Sequence, residues 1–276
     1  MNVAAGRQPQ SVQLAFISAP KVKSRRPDGW LTSAPATHAA GLAPAAALAR
    51  RMYASLGAGV FELLWLAGRP AGAVGDRFTM TPDCAAALRD AAALGRGVVV
   101  VVATAPAGNW DLSACGAARW MASGIASAPR LTVVTKRLSW RALDRYWQRL
   151  RAERGVVLVG AAAAVREALR AGGLVGLLVD QAPERASGVV TLPFLGRPAR
   201  HDLAPALFPA RVKAPLVVVL GRRGGDGRHE LEVAATILPA ELRGRGALEA
   251  ATGRIAEAVE GFVRARPEQW LHRRWK

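Results

Sequence analysis

Five consecutive valines, Val98–Val102, inside the run from Gly97 to Thr104 constrain this chain more than any other feature. A β-branched run with no polar alternation cannot leave one face in water, so it predicts a central strand covered on both sides. The neighbouring sequence supplies the cover. Its periodicity predicts strands over 131–134, 156–159 and 174–179, separated by helices over 139–153 and 162–169. Strands alternating with helices of this length imply a largely parallel central sheet flanked by helices on both faces, an α/β class. Further strands are expected at 189–194, 216–220 and 230–235, and helices at 203–211 and 246–266.

Upstream, helical spacing runs from residue 44 to 67, and Thr81 ahead of Pro82 reads as the N-cap of a short helix over 85–94. The stretch Leu56–Gly68 holds Val60, Phe61, Leu63, Leu64, Trp65 and Leu66, but Glu62 interrupts it. Spanning a bilayer takes about 18 or more apolar residues. This stretch is too short, and the expectation is a buried or an interfacial helix, one that lies on a membrane if the protein meets one. Residues 1–35 read as a polar, proline-containing tail without a signal-peptide pattern, and 36–276 as one domain.

The net charge of +18 favours an anionic partner: phosphate headgroups, an acidic carrier protein or a nucleic acid. Lysine occurs only at 21, 23, 136, 213 and 276, so the cation is nearly all arginine amid much alanine and glycine. Compositional bias therefore accounts for part of the charge. No helix-turn-helix, zinc or RNP pattern accompanies it, and nucleic acid is not expected as a partner. Cys84 and Cys115 lie in alanine-rich helical surroundings without CxxC or Cys/His spacing. Neither a zinc site nor a disulfide framework is expected, and a reducing compartment fits.

In open α/β sheets, sites form at the carboxyl ends of strands. Two segments meet that condition. Asn109, Trp110 and Asp111 follow the valine strand where a helix begins, and Asp180 with Gln181 closes the strand over 174–179. A carboxylate at the end of a buried strand has to be paired or functional. Lys136 and Arg137 follow the strand over 131–134, where they can meet phosphates, and Arg151 with Arg154 precedes the next strand. In the helix after Ser139, Leu143, Tyr146, Trp147 and Leu150 form an apolar stripe, and Arg141, Arg145 and Arg149 repeat on another face. Such a helix suits anionic lipid or an acidic carrier protein; an ordinary surface helix carries the same pattern.

The string Thr104-Ala105-Pro106-Ala107-Gly108-Asn109-Trp110-Asp111 resembles the T-A-H-x-G-N-W-E/D signature of the lipid A late acyltransferases, a branch of the lysophospholipid acyltransferase group. Further blocks agree in order: Gly172-Gly173-Leu174 through Asp180-Gln181, Pro193-Phe194-Leu195-Gly196-Arg197-Pro198-Ala199, and Pro267-Glu268-Gln269-Trp270 followed by His272-Arg273-Arg274-Trp275-Lys276. Leu56-Gly57 with Phe61-Glu62 is similar to the family's opening helix. The resemblance implies a glycerolipid acyltransferase-like fold with N-terminal interfacial helices and no cofactor. It also implies transfer of a fatty acyl chain from acyl carrier protein or acyl-CoA to a hydroxyl of a membrane glycolipid or lysophospholipid. The implied location is peripheral, at the cytoplasmic face of the inner membrane. Asn109, Trp110, Lys136, Arg137, Arg154, Asp180 and Gln181 are the substrate-binding candidates, and Asp111 the catalytic one.

Pro106 stands where the family carries histidine, and the tail is shortened between its two halves. Acyl transfer to an alcohol needs a base for the hydroxyl proton, and imidazole suits it because its pKa lies near neutrality. Proline has no titratable group and no N–H. Asp111 matches the family carboxylate without its partner, which leaves it as a helix-start carboxylate or a weak base. Of the four histidines, His201 is the candidate replacement, with Asp202 beside it, although adjacent residues do not form a His–Asp pair of the required geometry. A slow enzyme and an impaired member that binds lipid or carrier without turnover are both compatible with Pro106.

Overall fold

A computed structural model describes residues 45–95, 97–104, 109–124, 131–135, 138–179, 183 and 187–270. Pro106, Lys136, Arg137, Asp180, Gln181 and the tail from residue 271 lie outside the described residues.

The chain opens with α1 (Ala45–Gly68), a 3-10 segment (Ala71–Arg77), β1 (Phe78–Met80) and α2 (Pro82–Ala93). The parallel core follows as β2 (Val98–Thr104), α3 (Trp110–Gly124), β3 (Leu131–Val134), α4 (Arg141–Glu153), β4 (Val156–Val159), α5 (Ala162–Arg170) and β5 (Leu174–Leu178). A hairpin of β6 (Val189–Phe194) and β7 (Arg197–Asp202) leads to α6 (Ala204–Val212), β8 (Leu216–Arg223), β9 (His229–Ile237) and α7 (Ala247–Ala265). Seven strands form one sheet in the order β1-β9-β8-β2-β5-β3-β4. β8, β2, β5, β3 and β4 run parallel, and β9 turns back antiparallel to β8.

β2 lies at the centre, as its valines require. Val98 and Val100 face one layer with Leu66 of α1, Leu88 of α2, Leu112 of α3 and Leu150 of α4. Val99 faces the opposite layer with Val165 of α5, Phe208 of α6 and Val259 of α7. Alternate residues of one strand thus feed two separate cores, because successive strand side chains point to opposite faces. From β2 the chain crosses to β3 by α3 on the first face, whereas β5 hands on to β8 by α6 on the second. The connections that follow the adjacent strands β2 and β5 therefore leave to opposite faces, which is the kind of switch point where α/β sheets open a crevice.

Two elements were not anticipated from the sequence. β7 reads Arg-Pro-Ala-Arg-His-Asp, with no apolar alternation, and is strand because it pairs with β6: Pro193 pairs with Pro198 and Val190 with His201. Pro at such positions is tolerated because the hairpin has free edges. Its two-residue turn, Leu195 at φ 52° and Gly196 at φ 78°, matches the type I′ geometry that hairpin twist favours. Leucine is strained there, and its N–H donates to Glu260 Oε2 at 3.0 Å. β1 is three residues long, too short to show a period.

Candidate functional site

The register places the motif. Thr104, the last residue of β2, lies beside Gly221 of β8, and Val102 beside Leu178 of β5. Asn109 then starts α3. Its side-chain Oδ1 accepts from the N–H of Leu112 at 3.2 Å, a cap that satisfies one of the open donors of the first turn. The side-chain nitrogen Nδ2 is buried and has no hydrogen-bond partner among the described residues.

Asp111 is in the first turn of α3, and its carboxylate is held by Arg151 of α4 in a two-point contact. Arg151 Nε donates to Oδ1 at 2.5 Å and a terminal nitrogen to Oδ2 at 3.2 Å. The side chains are 7 % and 10 % exposed. The guanidinium carbon sits 4.6 Å from the centre of the Trp110 ring and 5.9 Å from that of Trp147, within cation–π range. Among the described residues no imidazole bonds Asp111. Arg151 was noticed in the sequence only as a cation before a strand; its offset of 40 residues from Asp111 gives no local signal.

Arg154, a substrate-binding candidate, donates to the carbonyls of Leu66 and Arg69 at 2.8 and 2.7 Å, and to Leu150 O at 3.0 Å. These contacts clasp the end of α1 to the end of α4. His201 belongs to the hairpin and packs edge-on against Phe194, which faces the α5–α7 layer, so it stands on the other side of the sheet from Asp111. Burial lowers the pKa of its imidazole. Burial also pushes the thiols of Cys84 and Cys115 up to about 12, with Asp111 adding to the effect at Cys115. Both stay protonated and are poor nucleophiles.

A second cluster at the same edge was missed. Glu62 of α1 receives Arg223 of β8 in a two-point contact, at 2.6 and 2.9 Å. Another nitrogen of Arg223 donates to the carbonyl and the hydroxyl of Ser55, at 3.1 and 3.0 Å. The main chain of Arg223 is bracketed by Gln269, whose Oε1 accepts from its N–H and whose Nε2 donates to its carbonyl, both at 3.0 Å. Nε2 of buried His229 lies 3.1 Å from Glu62 Oε1, off the line of a straight N–H bond. Burial pushes the Glu62 carboxyl up, but His229 and Arg223 beside it outweigh this and hold its pKa below the ordinary value. The Phe61-Glu62 and Pro-Glu-Gln-Trp blocks thus meet at Arg223.

The inward side of α1 carries Ser55 and Glu62 along with the fully buried Leu66, and large apolar residues also point outward. Tyr53 is 71 %, Phe61 73 % and Leu64 63 % exposed, and Val60 lies on the same side. No helix among the described residues is long and apolar enough to cross a membrane. On α4, Trp140 and Tyr146 are exposed near Arg141, Arg145 and Arg149, while Leu150 is buried.

Beneath α3 lies a small apolar cavity of about 50 Å³, lined by Trp110, Ala114 and Ala117 of the helix and by Val100, Gly176 and Leu178 of the sheet. A family model described as bacterial lipid A biosynthesis acyltransferase matches residues 44–276. No curated protein matches the chain.

Proposed function

The chain belongs to the bacterial lipid A biosynthesis acyltransferase family, and on that premise we propose that it moves a fatty acyl chain from acyl carrier protein or acyl-CoA to a hydroxyl of a membrane glycolipid or lysophospholipid. The observation that carries this reading is the placement of Asn109, Trp110 and Asp111 at the carboxyl end of the central strand, beside the switch point. The buried Nδ2 of Asn109 offers a donor for the oxyanion that forms when the thioester carbonyl is attacked. Asp111 and Arg151 hold the start of α3 to α4 and so fix where that donor stands. Lys136, Arg137, Asp180 and Gln181 follow neighbouring strands and complete the set proposed to bind donor and acceptor. The outward apolar face of α1, with the arginines of α4, supports a peripheral seat on an anionic membrane at the cytoplasmic face.

A second reading is a member that binds lipid or carrier without turnover. Pro106 favours it, and so does the engagement of both Asp111 oxygens by a guanidinium, which cannot accept a proton. Acyl transfer by the purified chain in detergent, with acyl carrier protein and CoA donors, separates the two when run beside Pro106→His. Restoring a general base is expected to raise turnover by roughly 10²–10⁴-fold. Activity confined to Pro106→His selects the second reading, and no turnover by either protein eliminates the enzyme.

A further inference from the structure

α4 keeps its cations outside and its acid inside. Arg141, Arg145 and Arg149 recur at one-turn spacing over about 12 Å of the helix, and all three are exposed. None has an ion-pair or hydrogen-bond partner among the described residues. Other surface arginines are neutralised by a near neighbour: Arg222 by Glu230, Arg254 by Glu241 and Arg264 by Glu260. On α4 the acid that could do this is turned away. Asp144 is buried, and its Oδ1 accepts from the N–H of Leu138 at 3.0 Å and from the Gln148 amide at 3.4 Å.

The apolar stripe of α4 is largely used inside the protein. Leu150 is buried, and Trp147 is half-buried beside the Arg151 guanidinium. Leu143 and Tyr146 remain partly outside, next to the arginines, and protein interfaces are enriched in this mixture of aromatic side chains and arginine. α1 is the opposite case. From residue 53 to 64 its exposed positions are Tyr53, Ala54, Val60, Phe61 and Leu64, none of them charged, which suits a lipid surface. α4 is also fixed to the motif. It starts just past the carboxyl end of β3, which runs parallel to β5 as β5 does to β2, and Arg151 ties it to Asp111 at two points. A partner seated on α4 is therefore held in register with the edge that carries Asn109.

We infer that the arginine row of α4 docks an acidic acyl carrier protein, through a helix whose carboxylates recur at one-turn spacing, and so selects the carrier thioester over acyl-CoA as donor. The inference rests on the acyltransferase reading for the identity of the partner, but docking is measured without turnover. A guanidinium presents a planar fork that takes a carboxylate at two points. A carrier that bears its thioester on a flexible arm docks beside a crevice, not in it. At long range the same charge adds to the attraction of an anionic membrane, an effect screened over about 10 Å at 0.1 M salt.

Anisotropy of a labelled dodecanoyl acyl carrier protein, titrated with the full chain in detergent at low salt, tests the face. Binding is expected, weakening as salt rises. Arg145→Glu combined with Arg149→Glu sets like charges against each other and should weaken it at least about tenfold, with the melting temperature unchanged. Arg145→Gln with Arg149→Gln, expected to lose less, keeps the test open if the reversed protein does not fold. Vesicles of phosphatidylethanolamine and phosphatidylglycerol in equal parts should lose less affinity for the variants than the carrier does. An absence of carrier binding to the native chain overturns the inference, as does unchanged binding in folded variants. A loss on vesicles as large as that on the carrier also overturns it, and gives α4 to the lipid. Docking that is lost in the variants, without acyl transfer by any protein, leaves the face standing and removes the enzyme reading. Transfer from dodecanoyl-CoA by a chain that does not bind the carrier does the reverse.

Discussion

Asp111–Arg151 and Glu62–Arg223 are both helix carboxylates held at two points by an arginine from another element, on the same face of the sheet. Their surroundings differ. Arg151 is stacked against Trp110 and Trp147, so the first pair is closed off by aromatic rings. The second pair branches to Ser55, His229 and Gln269, and joins α1, β8, β9 and the segment after α7. The first fixes one helix end within the motif; the second is a junction between distant parts of the chain. The difference also locates the imidazole. His229 stands beside the carboxylate of the junction, and the motif carboxylate faces a guanidinium.

The largest expected effect tests the closed pair. Arg151→Ala leaves Asp111 buried without its cation and should cost about 3–5 kcal/mol in urea unfolding, the usual penalty for breaking a buried ion pair. Arg151→Met combined with Asp111→Asn should recover most of that, because the stranded charge is gone. A loss below about 1 kcal/mol, the level of an exposed pair, breaks the contrast. Glu62→Gln should cost less, about 2 kcal/mol, because a charged hydrogen bond is lost while Arg223 retains Ser55. Its effect should be local: hydrogen exchange quickens along α1 and not along β2. Equal quickening of both elements makes the junction part of the global core.

The parallel core was legible because its signals are local. The valine run, the strands at 131–134, 156–159 and 189–194, and the Thr81 cap, whose Oγ1 accepts from the N–H of Cys84 at 3.3 Å, are all written in adjacent residues. The extent of β8 and β9 was not. The added residues at the turn, Arg222, Arg223 and His229, are polar and are strand because the two strands pair across a glycine-rich turn, Arg222 with Glu230 and Arg223 with His229. The partners that define both carboxylate sites were hidden for the same reason. Arg223 lies 161 residues from Glu62, and neither position carries a periodic signal that marks it as paired. Even the helical spacing of α1 was readable while its orientation was not, since the inward placing of Ser55 and Glu62 depends on Arg223 across the interface.

The smallest effect separates the two pairs by pH. The folded pKa of Glu62 is held below its ordinary value of 4.5, so its contribution is full above that value and disappears as pH falls through the folded pKa. Glu260, lowered against burial by the Leu195 N–H and Arg264, loses its contribution to the hairpin turn in the same direction, so a global melting curve mixes the two. Exchange rates resolved by element do not. Protection of α1 relative to β2 should hold from neutrality to about pH 4.5 and decline below it. In Glu62→Gln the same ratio should start lower and stay flat over that range, because the titrating group has been removed. If the ratio declines identically in both proteins, the acid sensitivity of α1 belongs to another group and the junction is not what holds the helix down.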